Sequence, residues 1–475
     1  MTNTTSYKGT TKPVFDNFKA VSPLRMLPLL LLSTWLSGPD ATAMKAVPMQ
    51  ENDDYAFGIS GYLRTGIGTS KGGNTQAAFQ APGPQNKYSL GNQADTYGEL
   101  EFDYVQYLFD DKNKNIEGVW MVSGWEAFDS DSMTYNLTEQ LYGRANNLFG
   151  NEIDLWIGRR FFERQAIHML DRQWNNPGQA GEGLGIEGLL GHQPGEHDLK
   201  LTLFHFKDDD VISYVNGEHN RLHTYAFDAR WVKYPLNDRW DLNASTTYSI
   251  RMENEELGYQ TKHGFGASAW LDYLNGDFSN QAGLVVRQGA NIPINHWNSA
   301  SVRENPGTFN GDPDYVENDL DKAYSIELNN NWLYDNQESW ALNIVSILQY
   351  RNHGTAPYEE GSAPAANLGD DEFWFSLGGR FIYYVTKQFR LSMQLSNDYV
   401  DNRQKDIAGN LSMITFTPEF SLAKGYYSRP VLRPFVTYAT WSGDFRGEIG
   451  NGPGSAPYGN DTSGLTAGVQ FEIWW

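Results

Sequence analysis

The sequence has no cysteine, no long apolar run and comparatively few cations. Without cysteine there are no disulfides to stabilise the fold and no thiolates to bind a metal. No apolar run reaches the roughly 20 residues that a membrane-spanning helix needs. Lysine and arginine total 36 against 58 aspartate and glutamate residues, which gives a net charge of −22. This acidity argues against nucleic acids and anionic ligands as partners.

Aromatic residues make up 14% of the chain, and glycine is abundant with 47 residues. Mean hydropathy is negative, yet many short segments alternate between apolar and polar residues. That period of two is typical of a strand with one apolar face. The combination fits a closed antiparallel barrel better than a soluble core. We therefore predict an all-β fold, a single transmembrane antiparallel β-barrel.

The clearest strand covers residues 465–475. Apolar residues from Leu465 to Trp475 alternate there with a mostly polar set that includes Glu472 and Trp474. Eleven such residues have the length of a transmembrane strand. The alternation places Trp474 on the lumen side, where an indole is favourable against something flat and partly apolar, such as a sugar ring. The alternative is a girdle residue that faces lipid.

Two other strands repeat this feature. Residues 57–68 place Tyr62 and Arg64 on their polar face, and residues 96–104 place Tyr97 and Glu99 on theirs. Three strands thus each direct one aromatic side chain into the lumen, beside charged or amide groups.

About seventeen strand candidates are visible, and because bacterial barrels have an even number of strands we predict eighteen. Compact turns are predicted at 110–115 and 235–239. Longer loops are predicted at 69–85, 127–150, 165–185, 205–222, 292–319, 354–370 and 443–463.

The amino-terminal segment has the features of a secretion signal. Four basic residues precede an apolar run at 26–36, and Ala41-Thr42-Ala43 offers a small-x-small cleavage site. The expected division is a signal peptide over 1–43 and a barrel over 44–475.

Several short motifs occur in a fixed order along the chain: GYLRTGIG (61–68), KYSLGN (87–92), TYGEL (96–100), WIGRRF (156–161), HMLD (168–171), YSRP (427–430), YATW (438–441) and EIWW (472–475). Together they resemble the maltoporin family of sugar-specific outer-membrane porins, which includes the sucrose porins. The resemblance implies an eighteen-stranded homotrimeric barrel whose lumen is narrowed by an inward-folded loop. It also implies that oligosaccharides pass along a line of aromatic residues flanked by polar ones.

Matching motif positions imply the following residues. The aromatic line comprises Tyr62, Tyr97, Tyr427 and Trp474; Phe278 joins it only if the alignment takes a gap, and Tyr135 or Trp125 is the aromatic that a neighbouring subunit contributes. The polar line comprises Arg64, Glu99, Arg164, His168 and Asp171.

The chain departs from the family at the expected constriction. Ser89 replaces an arginine, Ala166 replaces an aspartate, and Gln173 replaces the tyrosine that narrows the maltodextrin pore, with Trp174 next to it as a partial substitute. Fewer bulky charged groups imply a wider or differently selective pore. Maltodextrins, sucrose and β-glucosides therefore all remain candidate substrates.

Several acidic groups offer other chemistry. Glu99, Glu101 and Asp103 share a strand face at a spacing that could pair two acids for glycoside hydrolysis, although lumen-lining charge is the simpler interpretation. The acidic runs at 208–210 and 312–314 could bind Ca²⁺ or simply be solvated.

Two histidine pairings are even weaker evidence of metal binding or catalysis. His219 and His223 have a metal-like spacing without a defined third ligand. His168 with Asp171 suggests a hydrolase triad, but no Gly-x-Ser-x-Gly elbow is present. The sequence thus predicts no catalytic residue, metal site or cofactor.

The sequence therefore predicts a multi-pass channel of the bacterial outer membrane, surrounded by its lipid and selective for oligosaccharides. The alternative is a general, non-selective diffusion porin.

Overall fold

The computed structural model describes residues 48–84, 87–148, 152–175, 181–190, 197–212, 219–256, 259–292, 320–352, 354, 371–403, 406–450 and 458–475. The predicted signal peptide at 1–43 lies outside these ranges, as do most residues of the predicted loops at 292–319 and 354–370. The described residues belong to one compact unit, Gly38–Trp475. None of the helices within them is long and apolar enough to cross a bilayer.

The described chain is built almost entirely of strands. Their bounds are β1 Pro48–Glu51, β2 Tyr55–Ser70, β3 Asp95–Leu108, β4 Asp111–Ala127, β5 Thr134–Asn146, β6 Asp154–Arg159, β7 Gln165–Ile167, β8 Arg172–Asn175, β9 Glu182–Glu187, β10 Asp198–Ile212, β11 His219–Asn237, β12 Trp240–Arg251, β13 Lys262–Asn275, β14 Phe278–Gly289, β15 Tyr324–Asp335, β16 Trp340–Asn352, β17 Asp371–Tyr384, β18 Phe389–Asn402, β19 Ile407–Ser421, β20 Val431–Trp441 and β21 Ser463–Trp474. Short 3₁₀ turns lie at Lys71–Gly73, His168–Leu170 and Gly443–Phe445.

Eighteen of these strands, β2–β6 and β9–β21, form a closed antiparallel ring. Each pairs with the next along the chain, and β2 pairs with β21 from Tyr62↔Trp474 to Ser70↔Thr466. Closure leaves no unpaired edge, which a sheet in lipid requires. The predicted eighteen-stranded barrel is therefore confirmed. The short β1 pairs with the first residues of β2, around Phe57. It lies beyond the end of β21, whose pairing with β2 stops at Tyr62.

Side chains alternate between the two faces of the wall as the sequence predicts. In β20, Leu432, Val436 and Tyr438 are exposed on the outer face, whereas Arg433 and Thr437 are buried on the inner face. This alternation is what lipid outside and a polar lumen inside require.

Aromatic pairs on the outer face mark both edges of the wall. Near the short turns, Phe278 packs against Tyr273 at 5.4 Å and against Trp332 at 5.0 Å between ring centroids. Near the long loops, Tyr324 packs against Tyr350 at 5.8 Å. Such girdles are typical of membrane barrels at the lipid–water boundary.

The prediction that Phe278 belongs to the aromatic line is wrong. It has the same parity in β14 as the exposed Leu284 and Val286, whereas the inward positions are Gln281 and Arg287. A lipid-facing ring cannot touch a solute in the lumen.

Some predicted loops are shorter than expected. The predicted loop at 127–150 contains β5, and the predicted loop at 205–222 is largely β10 and β11, which end and begin at 212 and 219. In β5 the outward apolar residues are few, chiefly Leu137 and Leu141, so the alternation in its sequence is weak.

An inward-folded loop connects β6 to β9, as predicted. Its strands β7 and β8 form a small separate sheet. The Arg172 side chain pairs with Glu327 of β15, and Arg287 of β14 donates to the Trp174 carbonyl at 2.7 Å. The loop therefore crosses the lumen and is fixed to the far wall.

A second segment, residues 71–84 and 87–94, also packs against inward-facing residues of the wall. The sequence predicts residues 69–85 as an extracellular excursion, but Phe79 is buried 4.9 Å from Tyr458. Tyr88 is likewise buried, with its hydroxyl 2.7 Å from that of Ser376. The alanine and aromatic residues of this segment bury apolar surface, which outweighs its loop-like glycine and proline content.

The Arg172–Glu327 pair predicts a large stability effect. Arg172→Met removes the cation that pairs with the buried Glu327 carboxylate, and we expect the free energy of unfolding to fall by about 3–5 kcal/mol. The measurement is the midpoint of heat-induced unfolding of the detergent-solubilised barrel. Arg403→Met is the control, because Arg403 is mostly exposed and pairs with Asp371 only at 3.9 Å. Equal midpoints in the two variants would contradict this role.

Candidate functional site

Five rings form a continuous series in the lumen, here called the aromatic row: Tyr97, Tyr62, Trp474, His168 and Tyr427. Successive ring centroids lie 5.9, 6.4, 5.7 and 5.8 Å apart. All five side chains are partly exposed. The row brings together the four aromatic residues that the motif positions imply, with His168 inserted between Trp474 and Tyr427.

Strand register explains the first part of the row. Tyr62 of β2 lies opposite Trp474 of β21, and Arg64 lies opposite Tyr97 of β3. Because directly opposite residues share a face of the sheet, the inward parity of β2 brings all three rings to the same side of the wall.

Tyr427 is positioned by the turn between β19 and β20, residues 422–430. Asp335 accepts a bond from the Tyr426 backbone N–H at 2.7 Å, and Arg390 donates to the Gly425 carbonyl at 2.6 Å. The Tyr426 hydroxyl donates to Asn343 at 3.0 Å, and its ring lies 4.8 Å from that of Tyr427. The Arg429–Pro430 peptide bond in this turn is cis.

Charged groups flank the row. Arg64 donates to Asp95 at 2.8 Å and to Asp171 at 2.9 Å, and its guanidinium lies over the Tyr97 ring at 5.3 Å. The Tyr97 hydroxyl donates to Glu99. Desolvation by the groups around it favours the protonated form of the loop residue Asp171, but attraction by Arg64 outweighs this and holds its pKa below the usual value. Asp171 is therefore a carboxylate, and its side chain is 51% exposed.

Arg164 is close enough to Glu99 for their charges to attract, and its guanidinium lies 4.3 Å from the Phe161 ring centroid. The polar residues that the motifs imply thus lie around the same stretch of lumen as the row.

Glu472 and Arg429 are site residues that sequence reasoning missed. Glu472 accepts from the Tyr62 hydroxyl at 3.1 Å, from Arg429 Nε at 2.7 Å and from Arg433. Arg429 also lies over the Trp474 ring at 4.2 Å. The signal was available, since Glu472 has the inward parity of Trp474, and Arg429 is part of the YSRP motif.

The predicted constriction residues differ in placement. Gln173 is half-buried, but Trp174 is fully buried and meets Trp270 edge-on at 5.8 Å. Trp174 therefore fills the space between the inward loop and the wall and does not narrow the passage. This corrects its expected role as a substitute for the missing tyrosine.

The two candidates for an aromatic that reaches a neighbour lie on opposite faces. Trp125 points into its own lumen, where its Nε1–H donates to Asp95 at 3.3 Å. Tyr135 lies opposite Gly124 on the outer face and is 68% exposed.

Two of the departures from the family pattern lie on or beside the inward loop. Ser89 is buried, and its backbone N–H donates to the Met169 carbonyl at 3.0 Å. Ala166 lies in β7, paired with Gln173. Ser89 thus supports the turn that carries His168 where the family has an arginine.

Two of the acidic residues that could pair for glycoside hydrolysis are hydrogen-bonded to neighbouring polar side chains. Glu99 is bonded to Tyr97, and Glu101 accepts from Gln140 at 2.6 Å. Among the described residues, no group of three histidine or acidic side chains could hold a metal ion. The acidic run at 312–314 and the side chains of 208–210 and His219 lie outside what the structure describes.

The sequence model of the LamB porin family matches residues 57–475. The chain belongs to the LamB porin family. Family membership and the closed barrel together identify a porin channel of the bacterial outer membrane.

The solved structures to which this chain is similar include two outer-membrane channels. The channel DcaP of Acinetobacter baumannii is 11% identical, with a TM-score of 0.49 over 90% of this chain and 100% of that one. OccD3 (OpdP) of Pseudomonas aeruginosa is 9% identical, with a TM-score of 0.40 over 88% of this chain and 91% of that one. Similarity this distant says nothing about the substrate of this LamB porin.

The exposed carboxylate of Asp171 predicts an effect on ion selectivity. Asp171→Asn removes a negative charge from the inward loop, so we expect the zero-current potential in a KCl gradient to shift toward anions. The shift should shrink as salt is raised, because ions screen exposed charges. Asp461→Asn is the control, since Asp461 is similarly exposed but pairs with Lys71 among the long loops. A shift of the same size in the control would contradict a role specific to Asp171.

Proposed function

We propose that this LamB porin is a carbohydrate-selective channel, through which oligosaccharides diffuse along the aromatic row. Candidate substrates are maltodextrins, sucrose and β-glucosides. The observation that carries the proposal is the unbroken series of five rings, each about 6 Å from the next. A non-selective pore has no need of such a series.

The chemistry of sugars fits this arrangement. A sugar ring has apolar C–H faces and a rim of hydroxyls. The rings of Tyr62 and Trp474 offer flat apolar contact, while their polar atoms remain hydrated. Asp171, Glu99 and Arg164 offer charged partners, which make stronger hydrogen bonds to hydroxyls than neutral groups do.

Transport also limits how tightly each position binds. A conducting site must be favourable enough for the solute to bind and weak enough for it to leave. Repeated sites with affinities near millimolar, roughly −4 kcal/mol each, meet this condition. Neighbouring rings about 6 Å apart let the solute contact the next ring before it leaves the last.

We expect the passage beside the row to be less confined than in a maltodextrin pore. Gln173 stands in place of the narrowing tyrosine, and Trp174 is packed away against Trp270. The buried Ser89 presents no cation to the lumen. These features support a substrate range that extends beyond linear maltodextrins, to compact disaccharides such as sucrose.

Removing a ring should weaken binding without closing the pore. For Trp474→Ala and for Tyr97→Ala we expect a loss of about 0.5–1.5 kcal/mol, or about two- to thirteenfold in sugar affinity, because a stacking surface is lost. The measurement is sugar-induced block of ion conductance in planar bilayers. Tyr438→Ala is the control, because Tyr438 is exposed on the outer face.

The same assay tests the alternative of a general diffusion porin. Such a porin would conduct ions without any block by mono-, di- or trisaccharides. Unchanged block in both ring variants would likewise refute the aromatic row as the sugar path.

We also propose that the barrel is a homotrimer, with the outer face of β2–β6 as its contact wall. Glycines face outward there, and around Gly118 they leave a groove lined by Phe57, Phe102 and Trp120. Nearby Ile157 is 68% exposed. Tyr135 lies on the same wall, so it is the better of the two candidates to reach a neighbour. The proposed mature chain begins after the signal peptide at 1–43.

Disrupting this wall should separate the subunits. We expect Ile157→Arg to convert trimers into monomers in detergent, because the charge would be buried without a partner. Native mass spectrometry measures the assembly state. The control is Leu377→Arg, which places the same charge on the outer face of β17. Trimers in both variants would exclude Ile157 from the contact, and monomers in both would show a non-specific effect.

A further inference from the structure

We propose that Arg429 is a positioning residue of the sugar path, which fixes the ring of Trp474 and the tautomer of His168. The row would then offer one face of an indole and a single imidazole N–H donor to the passing solute. This inference rests on the proposed function and deepens it.

The Arg429 guanidinium is held from several sides. Its Nε–H donates to Glu472 at 2.7 Å, and Nη1 donates to the Ser428 carbonyl at 3.1 Å and to the Tyr426 carbonyl at 3.4 Å. The side chain is almost completely buried. A planar group fixed in this way has little rotational freedom left.

Trp474 packs against this fixed plane. The guanidinium carbon lies 4.2 Å from the indole centroid, a distance at which a cation is attracted to a ring face. Arg429 thus occupies one face of the indole. Only the other face remains for stacking, so the geometry makes Trp474 a one-sided platform.

The contact with His168 decides its tautomer. Arg429 Nη2 lies 3.1 Å from His168 Nε2. Guanidinium nitrogens only donate hydrogen bonds, so Nε2 must accept and the imidazole proton must lie on Nδ1. The His168 ring is therefore neutral, with Nδ1–H as its one donor.

Charged groups face His168 from several elements. Glu472 of β21 and Asp171 of its own loop favour the imidazolium, whereas Arg429 and Arg380 of β17 disfavour it. Desolvation by the surrounding side chains lowers the pKa of His168 below its usual value, and the two arginines lower it further. The ring then stays neutral as the pH falls through the ordinary histidine range.

Arg433 provides a matched control within the same network. It is equally buried and donates to the same Glu472, with Glu419 as its second partner. Its described hydrogen bonds and ion pairs go to carboxylates and Gln470, and none goes to Trp474 or His168. Replacing it also removes one buried cation from Glu472.

The first readout is the pH profile of sugar block. Wild-type block should be constant between about pH 5 and 8. Arg429→Met should weaken block about two- to tenfold at neutral pH. It should also introduce a pH dependence toward the acidic end of this range, because removing a cation raises the pKa of His168 while desolvation and Arg380 still lower it. Arg429→Lys should restore the flat profile but only part of the affinity.

Two further variants separate positioning from general damage. In Arg429→Met/His168→Gln the pH dependence should disappear, and Arg433→Met should keep the flat wild-type profile. A flat profile with wild-type affinity in Arg429→Met, or the same pH dependence in Arg433→Met, would overturn the proposal.

A second readout does not depend on sugar. In ¹⁵N-histidine NMR of the full barrel, the signal absent from His168→Gln should report the Nδ1–H tautomer in wild type and lose it in Arg429→Met. If no sugar blocks wild type while this tautomer is observed, the proposed function fails and the positioning by Arg429 stands. An Nε2–H tautomer in a sugar-blocked wild type would refute the positioning alone.

Discussion

Ion pairing on the inner face of the barrel wall is the interaction on which this structure depends. The barrel wall directs arginine and glutamate side chains inward, away from bulk water, where a charge without a partner is costly. Glu327 pairs with Arg172 of the inward loop, Glu419 with Arg390 and Arg433, and Glu472 with Arg429 and Arg433. The same bonds that neutralise the wall also fix the segments that fill it.

These pairs make the functional surface a product of several distant segments. The inward loop supplies His168, the turn at 422–430 supplies Tyr427, and adjoining strands supply Tyr62, Tyr97 and Trp474. Glu472 connects three of these segments, because it accepts from Tyr62 and Arg429 while Arg429 contacts both Trp474 and His168.

The sequence was most informative where the period-two pattern is strong. The alternation of β2, β3 and β21 was sufficient to predict inward-facing Tyr62, Tyr97 and Trp474, since parity alone decides the face of a strand. Parity would also have excluded Phe278, which the motif alignment suggested. β5 was missed because its outward residues are only partly apolar.

Other features depend on packing that no local pattern records. Residues 69–85 read as an exposed loop, and only contacts such as those of Phe79 with Trp441 and Tyr458 show that this segment packs inside the barrel. The burial of Trp174 and the role of Arg429 depend in the same way on how loops meet the wall. Loop composition predicts the absence of regular structure, but it does not predict which way the loop folds.

The register between β2 and β21 has a consequence for assembly. Tyr62 and Trp474 are far apart in sequence, and their strands have the largest sequence separation of any paired strands in the ring. Long-range pairings of this kind form slowly, so this seam is a natural last step in building the barrel. An open precursor with every other strand in place would still lack the junction between Tyr62 and Trp474. The channel would therefore become able to bind solute in the same step that closes the barrel wall.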